Sequence, residues 1–131
     1  MKLTATHNFP KSPIYNKAIE IFMLSRNISS YLVEDFNSRS AEHIDHPVIY
    51  FSGDIIQQSN SLAPEILKAE SKPFQEDRFK HIASLEKLTT SLTINCERLE
   101  KFPSNGKDFL PILKKELKKF RKLQRKWLMT L

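Results

Sequence analysis

Residues 107–131 read KDFLPILKKELKKFRKLQRKWLMTL, and this stretch separates into two faces when it is placed on a helix. At about 100° per residue, large apolar side chains recur at spacings of three and four and form one stripe. The stretch therefore predicts an amphipathic helix that buries one side against other helices. The stripe consists of Leu110, Leu113, Leu117, Phe120, Leu123, Trp127 and Leu131.

The opposite side of this predicted helix carries eight cationic side chains and no acidic one, with Glu116 between the two faces. The whole chain has 21 Lys and Arg against 15 Asp and Glu, a net charge of +6. Thirteen of the cationic and fourteen of the anionic residues lie outside residues 114–126, so the positive charge belongs to this one helix. The eight cations are Lys114, Lys115, Lys118, Lys119, Arg121, Lys122, Arg125 and Lys126.

The composition excludes several classes of protein. Two glycines in 131 residues compare with about nine at average usage, so β-hairpins and glycine-rich nucleotide loops are not expected. One cysteine excludes an internal disulfide and is typical of a reducing compartment. The N-terminal sequence has no apolar core of signal-peptide length, and no apolar run is long enough to cross a bilayer. We therefore predict a soluble, cytoplasmic protein that does not associate with membranes.

The N-terminal part of the chain predicts a flexible arm followed by a helix. Residues 1–12 are polar and contain a proline, which is typical of a loose terminal arm. Ser12 and Pro13 supply an N-cap and a first-turn proline, and apolar residues then recur at helical spacing. We predict the first helix over residues 13–36 and assign residues 13–131 to one bundle domain.

Residues 37–52 interrupt the helical period with Pro47 and a β-like VIYF run, so we predict an irregular connection there. The second helix is predicted from about Gly53 to Ser71. Pro64 should bend this helix because proline removes one backbone hydrogen bond.

The third predicted helix follows Pro73 and runs to Phe102 along a near-heptad apolar stripe. Asp108 is the predicted cap of the C-terminal helix, with Pro111 in its first turn. Four amphipathic helices, the last three joined by short connections, predict an all-α, up-down four-helix bundle.

Three stretches of the chain, IYNKAIEIF, SLAPEILKAES and RFKHIASLEKL, resemble a known family. They are similar to the bacterial four-helix-bundle proteins of the 23S rRNA intervening-sequence group, whose relatives include the Avd accessory proteins of diversity-generating retroelements. The resemblance covers residues 14–102. The second helix of the family has the pattern S-I-P-x-N-I-A-E-G; Ser61, Leu62 and Ile66 match it in kind, and Pro64 is displaced by one place. Where the family has Asn, Glu and Gly, this chain has Glu65, Lys68 and Ala69.

The resemblance implies a small bundle that assembles into a ring-like homo-oligomer, pentameric in studied relatives. Avd-type members are similar to RNA-binding partners of a reverse transcriptase, so that enzyme is an implied partner of this chain. The intervening-sequence members have no settled activity. The implied binding surface of the family is basic, and the C-terminal helix of this chain agrees with it.

The basic face predicts contact with the backbone of RNA or DNA. Eight cations on one face repel one another unless an anion neutralises them, and phosphates do so with release of counterions. Six of the eight are lysines and no aromatic side chain lies between them, which favours backbone contacts over base reading or stacking. We therefore predict a non-catalytic nucleic-acid-binding protein, with RNA favoured over DNA, and take the eight cations as its binding residues.

Other interpretations stay open; besides the two below, the basic face could lie on an anionic membrane or be merely solvated. An acidic protein partner could cover the same basic face and make the chain a protein-interaction module. The less favoured alternative is an RNase, because the Arg-x6-His spacing of Arg39 and His46 resembles the nuclease motif of HEPN-type helical bundles. That motif belongs on a helix at a dimer interface, whereas here it falls in the segment predicted to be least helical.

The remaining candidates predict structure rather than chemistry. Residues 42–46, EHIDH, contain potential metal ligands, but they precede Pro47 in a predicted loop, so capping and turn roles are expected. His81 should border the core, and Cys96 lies on the apolar stripe of the third helix as a small buried hydrophobe. We predict no metal, no cofactor and no catalytic residue.

Overall fold

A computed structural model describes residues 12–39, 46–102 and 105–131, and these ranges are all-α with no strand. The helices α2 (Pro47–Asn60) and α3 (Leu62–Ser71) are two parts of one interrupted helix. The described chain therefore forms four helices in space, which confirms the predicted all-α class. None of these helices is long and apolar enough to span a bilayer. The helices are α1 (Pro13–Arg39), α2 (Pro47–Asn60), α3 (Leu62–Ser71), α4 (Gln75–Leu99) and α5 (Leu110–Leu128), and a 3-10 helix, Asn105–Phe109, precedes α5.

The helices enclose one core in which neighbours in sequence pack side by side. Helix α1 packs against α2 and α5, and α4 packs against α2, α3 and α5. Every helix contributes fully buried apolar side chains, each of which stabilises the fold by roughly 1.5–3 kcal/mol relative to exposure. Among the largest are Ile21, Ile55, Ile66, Leu92 and Phe120.

Helix α2 begins at Pro47 rather than at Gly53, so the prediction of an irregular connection over residues 37–52 was wrong at both of its ends. Residues 37–39 belong to α1 and residues 47–52 to α2. His46 is the N-cap, and its Nδ1 accepts a hydrogen bond of 3.1 Å from the backbone N–H of Val48. Pro47 is tolerated at the first helical position because an N–H there has no partner within the helix.

The predicted interruption near Pro64 takes the form of a break at Ser61. Pro64 has no N–H to bond the carbonyl of Asn60, which weakens the helix at this turn. The N–H of Ser61 donates to the carbonyl of Gln58 at 3.2 Å. In a regular helix the N–H of Ser61 would bond the carbonyl of Gln57 instead. The hydroxyl of Ser61 donates to that carbonyl at 3.0 Å, so the carbonyl of Gln57 keeps a partner.

The ends of α4 and α5 differ from the predictions in detail. Helix α4 ends at Leu99 and not at Phe102. The predicted cap at Asp108 was wrong, because the 3-10 helix continues directly into α5 and places Phe109 at the N-cap position. Phe109 has helical backbone angles, φ −81° and ψ −18°, whereas a capping side chain needs an extended residue to fold back.

Candidate nucleic-acid interface

The apolar side of α5 is buried, as the sequence predicted. Leu110, Leu113, Leu117 and Phe120 are at most 1% exposed, and Trp127 is 6% exposed. The indole N–H of Trp127 donates a 3.0 Å hydrogen bond to a carboxylate oxygen of Glu70. Trp127 is therefore a core residue, and the orientation of α5 is set by this buried side.

The opposite side of α5 presents six of the eight predicted binding residues to solvent. Lys119 is the exception among them, because it forms an ion pair of 3.0 Å with Glu116. Within the described part of the chain, no carboxylate pairs with the other five, which span about 16 Å of helix. We call these five residues the open cations: Lys115, Lys118, Lys122, Arg125 and Lys126.

The two remaining cations are half-buried, which corrects the expectation of eight open charges on one face. Lys114 forms an ion pair of 2.8 Å with Glu100. Arg121 contacts Glu86 at 2.6 Å and donates to the hydroxyl of Thr90 at 3.1 Å. The hydrogen bond to Glu100 raises the pKa of Lys114 above its usual value, against the opposing effect of burial. These two cations join α5 to α4.

An acidic residue joins α5 to α1 on the other flank. Glu116 accepts hydrogen bonds from Lys17 at 2.8 Å and from Lys119 at 3.0 Å, and Lys17 also contacts Glu20 at 3.2 Å. Lys17 in the first place, and Lys119 in the second, lower the pKa of the Glu116 carboxyl below its ordinary value. Glu116 is thus ionised and neutralised by its two partners, so it adds little repulsion toward an anion on the open cations.

An open groove of about 790 Å³ runs between α4 and α5. Its floor includes the buried Leu117, and its α4 wall carries Thr93 and Glu97. The cations that line it are Lys114, Lys115, Lys118 and Arg121.

Of the residues of the RNase and metal alternatives, the described ranges include the backbone of Arg39 and the whole of His46. Arg39 is the last residue of α1, and residues 42–45 lie outside the described ranges. The His46 ring packs against Phe36 and Phe102 at centroid distances of 4.3 and 5.4 Å. Its Nδ1 is occupied by the cap of α2, so the predicted capping role is confirmed for His46.

The other predicted candidates have structural surroundings. His81 Nδ1 lies 3.0 Å from a carboxylate oxygen of Glu65 and joins α4 to α3. Cys96 is fully buried, and burial raises the pKa of its thiol to about 12, which favours the protonated thiol. Within the described ranges, no group of His, Cys, Asp and Glu could hold a metal ion.

Sequence reasoning missed a polar pocket of about 240 Å³ between α2 and α4. Asn95, only 4% exposed, donates to Gln58 Oε1 at 3.0 Å and accepts from Arg98 at 3.1 Å. The guanidinium carbon of Arg98 lies 5.3 Å from the centre of the Phe51 ring. Asp54 lies one turn before Gln58 on α2 and lines the same pocket. The spacing of Asp54 and Gln58, four residues apart, indicates that they share one face of α2, but it does not show which helix that face contacts.

Comparison of the chain with protein-family models, characterised proteins and solved structures found no match. The described residues themselves offer the geometry set out above. That geometry consists of five open cations on α5, a cationic groove beside them and an amide-lined pocket on the far flank of α4.

Proposed function

We propose that α5 binds the phosphate backbone of nucleic acid, RNA in preference to DNA, without catalysing a reaction. The observation that carries this proposal is the row of open cations defined above, which has no carboxylate partner in the described chain. Like charges held side by side repel one another. A polyanion relieves that repulsion, and its release of counterions drives binding. The preference for RNA rests on the family resemblance.

The eight predicted residues divide into two groups with different roles. The open cations provide the charge that a phosphate backbone meets first. Lys114, Lys119 and Arg121 already contact carboxylates at 2.6–3.0 Å, so an incoming phosphate must compete with those partners. We assign Lys114 and Arg121 mainly to holding α5 against α4, Lys119 to neutralising Glu116 within α5, and the open cations to binding.

The proposal includes the arrangement and assembly of the bundle. Residues 72–74 form a short joint between α3 and α4, and the 3-10 helix Asn105–Phe109 leads directly into α5; short joints favour an up-down order of antiparallel neighbours. A cytoplasmic homo-oligomer, pentameric as the family resemblance implies, would repeat the row of open cations around a ring. Several rows on one RNA bind by avidity, since later contacts are made at high effective concentration. A reverse transcriptase is the enzyme partner that the resemblance implies.

The direct test is reversal of two open cations in the variant Lys118→Glu/Lys122→Glu. We expect the affinity for RNA to fall on the order of 100-fold at 50 mM salt, because two phosphate contacts are lost. The loss should be equal for all sequences, and the slope of log affinity against log salt should become shallower by about 2. Fluorescence anisotropy with a labelled RNA measures both quantities.

The matched control is the variant Lys68→Glu/Lys80→Glu, which changes the net charge by the same amount. Both residues are exposed, and they lie on α3 and α4. The control should lose much less affinity than the α5 variant. Equal losses in the two variants would show that net charge alone governs binding and would contradict a site on α5.

A protein-interaction module is the second candidate, and one observation favours it. Three α5 cations already bind the carboxylates of Glu86, Glu100 and Glu116, so this surface suits an acidic protein as well as phosphate. Polyglutamate is the discriminating probe. Under our proposal RNA displaces polyglutamate from the protein at equal charge concentration, whereas displacement of RNA by polyglutamate would favour the interaction module.

A further inference from the structure

The polar pocket between α2 and α4 contains hydrogen-bonding groups that the fold does not use. Gln58, which lines the pocket, accepts from Asn95 through Oε1, and its Nε2 donor has no partner in the described chain. The carboxylate of Asp54 likewise has no partner among the described residues. Residues four apart on a helix have Cβ atoms about 5–6 Å apart. The two carboxylate oxygens of Asp54, which accept hydrogen bonds, therefore lie beside the Nε2 donor of Gln58.

The orientation of these groups is set by a chain of contacts centred on the buried Asn95. Asn95 is almost fully buried, and its two hydrogen bonds determine which end of the Gln58 amide points outward. Arg98, which holds Asn95, is itself placed over the Phe51 ring. A site whose groups are already oriented loses less entropy when a ligand binds.

We propose that this pocket binds a guanine base of the RNA strand whose backbone lies on α5. Guanine presents two adjacent donors, N1–H and N2–H, beside the acceptor O6 on its Watson–Crick edge. The Asp54 carboxylate accepts from the two donors, and Gln58 Nε2 donates to O6. This inference rests on the proposed function, and it adds base recognition to the backbone binding.

The same groups reject the other bases. Adenine and cytosine place a ring-nitrogen acceptor where guanine has N1–H, so a lone pair would face the Asp54 carboxylate. Uracil can donate N3–H to Asp54 and accept at O4 from Gln58, but its O2 meets the carboxylate where guanine has N2–H, so it makes two hydrogen bonds against the three of guanine. A polar site left unpaired by the wrong base loses the full benefit of its hydrogen bonds, and bidentate contacts discriminate by about 1–3 kcal/mol.

The pocket lies close enough to α5 for one strand to reach both sites. Glu97 lines the groove on the α5 flank of α4, and the next residue, Arg98, lines the pocket on the α2 flank. A helix with its side chains is about 10–12 Å wide, roughly three nucleotides of a stacked strand. The positive charge of Arg98 offsets the repulsion between Asp54 and the phosphates. The volume of about 240 Å³, room for about eight waters, is sufficient for one base.

The test compares short uridine RNAs that contain one central guanosine, adenosine or inosine, measured by anisotropy at constant salt. We expect the guanosine RNA to bind about 5- to 100-fold more tightly than the adenosine RNA. The inosine RNA, which lacks the N2 amino group, should fall between them. Asp54→Asn should remove the preference for guanosine while affinity for plain uridine RNA stays within about twofold.

The matched control is Asp77→Asn, an exposed acidic residue on α4 outside the pocket. It should keep the guanosine preference. RNAs that all bind equally well would overturn the base pocket and leave the backbone proposal standing. No binding of any RNA would overturn the backbone proposal. Guanosine monophosphate that binds in an Asp54-dependent way, without any preference among the RNAs, would assign the pocket to a free nucleotide and overturn the placement on RNA.

Discussion

The two flanks of helix α4 are held to their neighbours by different chemistry. Toward α5, the contacts include ion pairs, Glu100 with Lys114 and Glu86 with Arg121. Toward α2, the polar contact is a pair of side-chain amides, in which Asn95 donates to Gln58 at 3.0 Å. Between the two flanks lies the buried apolar side of α4, which packs in the common core.

The difference separates affinity from selectivity. An ion pair at a partly exposed site is weak, is screened by salt and exchanges its partner readily, so the α5 flank can release a carboxylate and accept a phosphate. A buried amide pair is directional, and leaving one member unpaired is costly. The α2 flank is therefore rigid, and we infer that it suits recognition of one particular hydrogen-bonding pattern.

Loss of the apolar core contacts of α4, which both flanks share, should lower the free energy of unfolding most. Leu92 is fully buried on α4, and Leu92→Ala should lower the free energy of unfolding by about 2–5 kcal/mol, because it removes apolar contacts and leaves a cavity. Urea unfolding followed by circular dichroism measures the change. The control is Ile94→Ala on the same helix, where the side chain is 41% exposed and a much smaller loss is expected. A loss below 1 kcal/mol for Leu92→Ala would contradict a common core.

Loss of the amide pair should have an intermediate effect that is independent of salt. Asn95→Ala removes the partner of Gln58 and of Arg98 and should cost about 1–3 kcal/mol of unfolding free energy. Uncharged amides are not screened, so the loss should be the same at 50 and at 500 mM NaCl. A loss that shrinks with added salt would show that the two flanks do not differ in kind.

Loss of an ion pair should have the smallest effect, and salt should reduce it further. Glu100→Gln removes the partner of Lys114, and both side chains are about one-quarter exposed. Pairs this accessible contribute about 0–1 kcal/mol, and the contribution should fall toward zero at 500 mM NaCl. Unfolding curves of this variant and of Asn95→Ala, recorded at the same two salt concentrations, compare the flanks directly.

The sequence was sufficient to predict those helices in which apolar residues recur at a clear helical spacing. Helix α5 and most of its buried side were predicted correctly because large apolar residues recur from Leu110 to Trp127, although the polar Gln124 is buried among them and Leu123 only partly. The start of α2 was missed because VIYF is rich in β-branched and aromatic residues. The signal that was overlooked is His46 followed by Pro47, an N-cap and a first-position proline.

The candidate site was only partly predictable because it depends on contacts between distant residues. The row of lysines on α5 is visible in the sequence, but the pairing of Lys114 and Arg121 is not. Their partners lie 14 and 35 residues away in the chain and become neighbours only when α4 packs against α5. The amide pair of Asn95 and Gln58 joins residues 37 positions apart, and neither residue is unusual in its local sequence.

The central claim is that the open cations of α5 bind a phosphate backbone, and the salt dependence of RNA affinity tests it most directly. Five contacts per chain predict a slope of log affinity against log salt of roughly −3.5 for a single strand and −4.5 for a duplex. The titration would be made with the intact protein and a labelled RNA between 50 and 300 mM NaCl. A slope in this range, made shallower by Lys118→Glu/Lys122→Glu, is the predicted result. Absence of binding at 50 mM NaCl, or a slope near zero, would contradict the account.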